Sequence, residues 1–208
     1  MDSELTRVTL LHEGRGELTE KKSVFIGYAA PVNTEEEAIE FVKTIKKKHS
    51  DARHNVYAYM IGQNIARYSD DGEPQGTGGI PVLDVIRKGG FTDAVIVVTR
   101  YFGGILLGAG GLVRAYSSAA SLAVSDATVV TYSTYKEFTL TVNYTDYGKL
   151  TVLLSNADPI NDGIDFAENV KLTLALPISK YEAFKSEALE ITAGRAVFEE
   201  IGTRFDKQ

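Results

Sequence analysis

The spacing of apolar residues changes along the first part of the chain, and each spacing predicts a different element. Residues 54–62 (HNVYAYMIG) alternate and carry β-favouring tyrosines, which predicts a strand. Residues 94–102 (AVIVVTRYF) form a continuous β-branched run, which predicts a strand that is buried on both faces. We expect these two strands to share one sheet.

Three other stretches have helical spacing. Residues 33–49 predict a capped amphipathic helix, because Asn33 or Thr34 precedes three glutamates and the stretch ends in lysines. The stretch GGIPVLDVIRKGG predicts a short helix with Pro81 in its first turn. Residues 109–126 are helical in pattern but rich in alanine, serine and glycine, so this helix should pack closely against a sheet.

The character of the chain changes around residues 131–136, which are polar and typical of a turn. The predicted elements that follow are strand 137–144, helix 145–156, strands 159–167 and 169–177, helix 179–192 and strand 196–204. This βαββαβ order is the ferredoxin-like pattern. The sequence therefore predicts an α+β protein of two domains, residues 1–135 and 136–208.

Composition narrows the chemistry. The 208 residues contain no cysteine, which excludes disulfides, thiolate metal ligands and cysteine nucleophiles and fits a cytoplasmic protein. The charged N-terminus does not resemble a signal peptide, and no stretch is apolar enough to span a membrane. A net charge of -6 argues against indiscriminate phosphate binding. A local basic cluster could face an anion or could simply be a solvated helix end: Lys43, Lys46, Lys47, Lys48, His49 and Arg53.

The stretch RYFGGILLGAGGLVRAY, residues 100–116, combines a buried strand end, a glycine turn and a helix start. It fits neither the Walker loop nor the dinucleotide fingerprint. Free backbone N–H groups at a helix start can bind an anion, and arginines at the two ends could point into one cleft. Alternatively, the glycines permit tight packing, the arginines pair with nearby carboxylates, and the tyrosines belong to the core. The candidate anion or nucleic-acid residues here are Arg100, Tyr101, Gly103, Gly104, Gly108, Gly110, Gly111 and Arg114, with Phe102 and Tyr116 as further stacking candidates.

A second dense stretch, SDDGEPQGTGGIP, places Asp70, Asp71 and Glu73 among glycines and prolines. Its carboxylates could hold Mg²⁺, although the spacing is not that of an EF-hand, or they could belong to an exposed turn. His54 could act as a base or be structural. The GxSxG and HExxH motifs of hydrolases are absent from the sequence.

Together these motifs resemble the YigZ/IMPACT family. The resemblance rests on Lys22-Ser23-Val24-Phe25, Arg53-His54-Asn55, Asp70-Asp71-Gly72-Glu73-Pro74 with Gly76-Thr77-Gly79-Pro81, and RYFGGILLGAGGLVRAY. It implies an N-terminal domain similar to the second domain of ribosomal protein S-five. It also implies a C-terminal ferredoxin-like domain similar to domain V of elongation factor G. The family brings no established catalytic residue, and His54 and Thr77 join the candidate anion-binding residues through these motifs.

The resemblance implies a non-catalytic, cytoplasmic regulator of translation that binds RNA, the ribosome or a translation-associated protein, without membrane association or sequence-specific DNA reading. The alternative is an enzyme or binding protein for a nucleotide or other phosphorylated small molecule, with Mg²⁺ as the candidate cofactor. A third hypothesis places the partner on the C-terminal domain. From Lys136 onward this domain has 12 acidic and 8 basic residues, a net charge of -4 that favours a basic protein surface over RNA.

Overall fold

The computed structural model describes residues 6–207, and it divides into two compact units. One unit is Arg7–Thr131, and the other contains residues 132–207 together with Thr6. Both units combine helices with antiparallel sheets, so the predicted α+β class and two-domain organisation are confirmed. None of the helices among residues 6–207 is both long and apolar enough to cross a membrane.

The N-terminal unit contains a five-stranded sheet with helices on both faces. The strands of this sheet are β2 (Gly14–Glu20), β3 (Ser23–Pro31), β4 (His54–Ile61), β5 (Ile65–Ser69) and β6 (Ala94–Tyr101), and the helices are α1 (Glu35–Lys48), α2 (Gly79–Gly89) and α3 (Ala109–Ala127). The short strand β1 (Thr6–Leu10) precedes them along the chain and is not one of the five. The sheet order is β2-β3-β6-β4-β5. Strand β6 is central and buried from Ala94 to Arg100, as the continuous apolar run predicts.

The helices of this unit start and end where their sequences indicate. Helix α1 begins after Thr34, whose hydroxyl accepts a hydrogen bond from the N–H of Glu37 at 3.2 Å. Helix α2 is followed by Gly90, which adopts the left-handed conformation that glycine favours. Helix α3 packs so closely on the sheet that a side chain at Gly27 would collide with the backbone of Ala119. The small residues of α3 therefore serve the close packing that the sequence predicts.

The C-terminal unit has the predicted βαββαβ order. Its elements are β7 (Val129–Val142), which begins before the division at Thr131, then α4 (Tyr144–Ala157), β8 (Ile160–Phe166), β9 (Val170–Pro177), α5 (Ile178–Ile191) and β10 (Val197–Lys207). The strand order is β10-β7-β9-β8, with every one of these neighbours antiparallel. Both helices contribute to one core, in which Phe138 contacts Tyr181, Phe184 and Phe198.

The structure corrects the sequence reading at two places. Residues 131–136, expected as a polar turn, lie inside strand β7, where Ser133 and Tyr135 alternate into the interior. Strands β1, β2, β3 and β5 have no counterpart in the predicted elements. Strands β2 and β5 are the two edge strands of their sheet, and their many polar residues give only a weak strand signal.

Candidate functional site

Asp70 stabilises the glycine-rich turn that precedes α2. Its carboxylate accepts hydrogen bonds from the N–H groups of Gly76, Gly78 and Gly79, at 2.9, 3.0 and 2.8 Å. Burial disfavours the charge on Asp70, but these hydrogen bonds outweigh burial and lower the pKa of the carboxyl group. Asp70 therefore supplies the acceptor that the start of α2 lacks, since Gly78 has no side chain to do so.

Asp71 links this turn to two other elements of the unit. Its carboxylate accepts a hydrogen bond at 2.6 Å from the N–H of Asn55 and another at 2.6 Å from Nζ of Lys46. Its carbonyl oxygen lies 2.8 Å from Nδ1 of His54. Because a carbonyl can only accept a hydrogen bond, Nδ1 carries a proton, and the neutral ring has an unprotonated Nε2.

Glu73 is the centre of a buried charged cluster, which consists of Glu73, Arg100, His54 and Tyr116. The Glu73 side chain is 3% exposed, and its Oε1 accepts hydrogen bonds from Nη1 of Arg100 at 2.6 Å and from the Tyr116 hydroxyl at 2.7 Å. Nε2 of His54 lies 3.8 Å from the same oxygen. Burial and the Glu73 carboxylate raise the pKa of Tyr116, so this residue remains a neutral donor.

Some hydrogen-bonding atoms of this cluster have no partner within the described part of the chain. Nη2 of Arg100 lies 3.4 Å from Oγ of Ser23, but Nε of Arg100 is buried and has no hydrogen-bond partner among residues 6–207. Oε2 of Glu73 and Nε2 of His54 also form no hydrogen bond with these residues. Of these three atoms, Nε of Arg100 is fully buried, and a buried donor without a partner is rare in native proteins. The cluster is therefore a candidate ligand-binding site.

A cleft of about 340 Å³ lies against this cluster. Glu73, Arg100 and His54 line it, together with Arg53 at its exposed rim. The remaining side-chain lining is mostly apolar and comprises Pro74, Phe102, Leu106, Leu107 and Leu112. The cleft thus combines an apolar wall with a few convergent polar groups, which is typical of a small-ligand site.

The start of α3 contributes backbone donors to the cleft. Gly108 and Ala109 line it, and Gly108 adopts φ 72° and ψ 165°, a conformation available almost only to glycine. No side chain caps α3, and its first intrahelical bond runs from the N–H of Leu112 to the carbonyl of Gly108. The preceding N–H groups of the first turn therefore have no acceptor within the helix and carry its positive dipole end.

The other glycines of the turn have separate roles. Gly103 donates its N–H to Oγ of Ser23 at 3.1 Å and approaches the backbone of Lys22 so closely that a side chain would not fit. Gly104 has φ 84°. Gly110 and Gly111 lie in the first turn of α3, where a side chain at Gly110 would meet only the end of Arg114.

Arg53 is the most accessible cation of the site. Its guanidinium lies 5.4 Å from the ring centroid of Phe102, on which Arg100 also stacks at 5.4 Å. The side chain of Arg53 forms no ion pair with any carboxylate among the described residues. Stacking thus orients an exposed guanidinium at the rim while leaving its N–H groups available to an anion.

Several predicted site residues lie outside the cleft or already form contacts with other protein groups. We expected both arginines to point into one cleft, but only Arg100 lines it. Arg114 is exposed and lies outside the cleft, because it is on the side of α3 opposite the buried Leu112 and Tyr116. Arg100 instead forms the ion pair with a nearby carboxylate that the alternative reading expected. Tyr116 is completely buried, so it is a core residue and not a stacking surface for a base.

Tyr101 and Thr77 also have structural partners. The Tyr101 hydroxyl donates to Asp51 at 2.9 Å and accepts from Nδ1 of His49, also at 2.9 Å. Burial and the hydrogen bond to Asp51 raise the pKa of Tyr101. Thr77 is buried and donates both its hydroxyl and its N–H to the carbonyl of Pro74, which makes it part of the turn.

The predicted metal ligands do not converge. Asp70, Asp71 and Glu73 each turn to different protein donors, and only Glu73 lines the cleft. Among residues 6–207, no group of three or more histidine, aspartate or glutamate side chains is arranged to hold a metal ion. The geometry therefore gives the predicted Mg²⁺ site no support.

Sequence reasoning placed Arg53 in a general basic cluster and in a family motif, but did not select it as a site residue. It did not select Leu106, Leu107 or Leu112 either. The signal for Arg53 was its position directly before His54 in a recognisable motif. A larger groove of about 720 Å³ lies elsewhere in this unit and includes Tyr28, Phe41 and Lys48. That groove contains none of the unsatisfied buried groups that distinguish the cleft.

The comparisons with known proteins identify the family. Residues 21–124 match the Impact N-terminal domain, and residues 140–195 match a domain of unknown function (DUF1949). The chain is 39% identical over 194 residues to the IMPACT family member YvyE of Bacillus subtilis, covering 92% of this chain and 89% of that protein. The chain belongs to the IMPACT family. It is also 36% identical over 179 residues to the family member YigZ of Escherichia coli, covering 84% of this chain and 87% of that protein.

A solved structure supports the same assignment for the fold. The crystal structure of a hypothetical protein, 32% identical in sequence, superposes with a TM-score of 0.60 and covers 94% of this chain and 97% of that one. All residues that line the cleft, from Arg53 to Leu112, lie within the match to the Impact N-terminal domain. The candidate site is thus a feature of the domain that gives the IMPACT family its name.

Proposed function

We propose that this IMPACT family protein is a non-enzymatic, cytoplasmic RNA-binding protein that acts in translation, and that its cleft binds the phosphate backbone of RNA. One observation carries the proposal. An uncapped helix N-terminus, an arginine without a carboxylate partner and a buried guanidinium nitrogen without an acceptor line the same cleft. All three favour an anion, and a phosphate oxygen is the acceptor that such donors suit.

The charge distribution restricts where RNA can bind. The whole chain carries a net charge of -6, so its average field repels nucleic acid. Attraction must then come from local donors, namely Arg53 and the first turn of α3. We expect modest affinity that falls steeply as salt rises, because released counterions supply much of the binding free energy of phosphate contacts.

The experiment measures binding of a structured RNA and of ribosomes to the full chain across a salt series, starting at low ionic strength. Arg53→Ala should weaken RNA binding and reduce the slope of log affinity against log salt by about one, as expected for one lost phosphate contact. Arg87→Ala is the matched control, because Arg87 is exposed in the same unit but does not line the cleft. Absence of salt-sensitive binding to RNA or ribosomes at low ionic strength would overturn the proposal, as would equal losses in both variants.

A second candidate is a binding protein or enzyme for a nucleotide or other phosphorylated small molecule. It is favoured by the size and apolar wall of the cleft, and by the fact that Glu73 and the glycine turn at Gly108 both line it. A thermal-shift screen with ATP and GTP, each with Mg²⁺ and with a chelator, tests this candidate. A ligand that binds only the native state raises the melting temperature, and a rise that needs Mg²⁺ would favour the metal-dependent form.

A further inference from the structure

The cleft offers hydrogen-bond acceptors as well as donors, and this mixture narrows the ligand beyond a simple anion. The Nδ1 proton of His54 is committed to the carbonyl of Asp71, so the neutral ring presents Nε2 as an acceptor. Oε1 of Glu73 is occupied by Arg100 and Tyr116, whereas Oε2 receives no hydrogen bond from residues 6–207. Both residues line the cleft.

An ionised phosphate alone would not satisfy this site. Its oxygens accept hydrogen bonds and would pair with Arg53, with Nε of Arg100 and with the first turn of α3. They would leave the acceptors on His54 and Glu73 unused, although both residues line the cleft and are only slightly exposed. A ligand with a hydrogen-bond donor close to its phosphate would use both kinds of group.

We propose that the cleft binds a ribose phosphate unit of single-stranded RNA, with the ribose 2′-hydroxyl donating to Nε2 of His54 beside Glu73. This inference rests on the proposed function and goes beyond it, since it makes the site selective for RNA over DNA. The 2′-hydroxyl is a donor that every RNA backbone repeats and DNA lacks. The cleft volume of about 340 Å³ lies at the small end for ligand pockets, which suits a sugar phosphate unit rather than a duplex.

The helix N-terminus is not the only basis for this site. The Arg100 side chain is 6% exposed, lines the same cleft and keeps Nε without a partner among the described residues. A second donor of this kind, buried and independent of the helix, strengthens the assignment of the phosphate to this end of the cleft. His54 has a side chain that is 13% exposed, so a ligand hydroxyl would replace only limited solvent there.

The experiment compares three short single-stranded oligonucleotides of identical sequence, namely RNA, DNA and 2′-O-methyl RNA, by fluorescence anisotropy with the full chain at low salt. RNA should bind up to about tenfold more tightly than the other two, the range expected for one hydrogen bond. The 2′-O-methyl probe keeps the 2′-oxygen and replaces the donated proton by a methyl group, so it cannot donate to His54.

His54→Ala should weaken RNA binding towards the DNA level and leave DNA binding almost unchanged. His12→Ala is the matched control, because the Nδ1 of His12 also contacts a peptide oxygen but His12 does not line the cleft. The melting temperatures of both variants establish that they fold. If neither RNA nor DNA binds, the proposed function fails. If all three oligonucleotides bind equally, or if His54→Ala weakens DNA and RNA alike, only the assignment of the 2′-hydroxyl is overturned.

Discussion

Each unit of the molecule contains an acidic residue that is almost fully buried and paired with an arginine, and the two pairs differ in how completely they are satisfied. In the C-terminal unit, Asp146 accepts two parallel hydrogen bonds from Nε and Nη2 of Arg195, both at 2.8 Å. In the N-terminal unit, Glu73 uses one oxygen for Arg100, and Nε of Arg100 remains unpartnered within the described chain. The Asp146–Arg195 pair uses both carboxylate oxygens and has its hydrogen bonds within the protein, whereas the Glu73–Arg100 pair has atoms left for a ligand.

The surroundings of the two pairs explain this difference. Asp146 also contacts Asn143 and Lys149 at the start of α4, and Arg195 is 52% exposed, so solvent reaches its remaining donors. Arg100 is 6% exposed and lies against the ring of Phe102, so its free donor is shielded from bulk solvent. An ion pair that is buried yet incomplete is therefore a better indicator of function than an ion pair alone.

The largest predicted effect is the loss of Glu73. Glu73→Ala leaves the Arg100 charge buried without its carboxylate and should reduce the free energy of unfolding by about 3–5 kcal/mol. Urea denaturation followed by circular dichroism measures this loss. Replacing both partners, with Glu73→Leu and Arg100→Met, should recover much of it, because no uncompensated charge then remains. A single variant as stable as the parent would show that the pair has no buried charge to compensate.

A smaller loss is expected from Gly108→Ala, which tests the other side of the same cleft. Alanine would have to adopt the φ of 72° and ψ of 165° that this position requires, at a cost of about 1–3 kcal/mol. The same denaturation experiment measures it. If alanine were accommodated without cost, the turn before α3 would not hold the conformation that directs its N–H groups towards the cleft.

The Asp146–Arg195 pair should make the free energy of unfolding depend on pH. Hydrogen bonds from Arg195 outweigh burial and hold the pKa of Asp146 below its ordinary value of 3.8. Because the pKa is lower in the folded state, the stabilisation is fully present above the ordinary pKa and is lost as the pH falls through the folded pKa. Asp146→Asn should therefore be less stable than the parent near neutral pH, with a difference that shrinks in acid. The loss should be smaller than for Glu73, since solvent screens the exposed Arg195.

Asp165→Asn is the control for this pH series. Asp165 is exposed on β8 in the same unit and forms no ion pair with the described residues. Its stability profile should run parallel to that of the parent across the acid range. A gap between Asp146→Asn and the parent that stays constant down to strong acid would contradict the lowered pKa.

Sequence reasoning reached the elements whose signals are local. Helix α1 and the βαββαβ order follow from the spacing of apolar residues and from caps such as Thr34. Each of these signals lies within a few residues of the element that it predicts. The cleft depends instead on three stretches that the sheet brings together, containing His54, Glu73 and Arg100. Their residue types could be selected in advance, but the free Nε of Arg100 and the outward position of Arg114 result from tertiary packing and have no local signal.

The smallest predicted effect separates stability from binding at the start of α3. Alanine at Gly110 would contact only Nη1 of Arg114, at 3.7 Å, and alanine favours a helix over glycine by about 0.5–1 kcal/mol. Gly110→Ala should therefore leave the fold intact or slightly more stable. The added methyl group would lie on the side of α3 that carries Arg114 and not in the cleft, so RNA binding should stay unchanged.

Gly148→Ala makes the same change in α4, where a side chain also has open space. It should raise stability to a similar extent and leave RNA binding unchanged, as measured by denaturation and anisotropy on the same preparations. If Gly110→Ala weakens RNA binding while Gly148→Ala does not, the RNA lies against the side of α3 that carries Arg114, and the phosphate is not held in the cleft. Unchanged binding by both variants, with a similar gain in stability, fits a phosphate that contacts α3 only through the cleft side of its first turn.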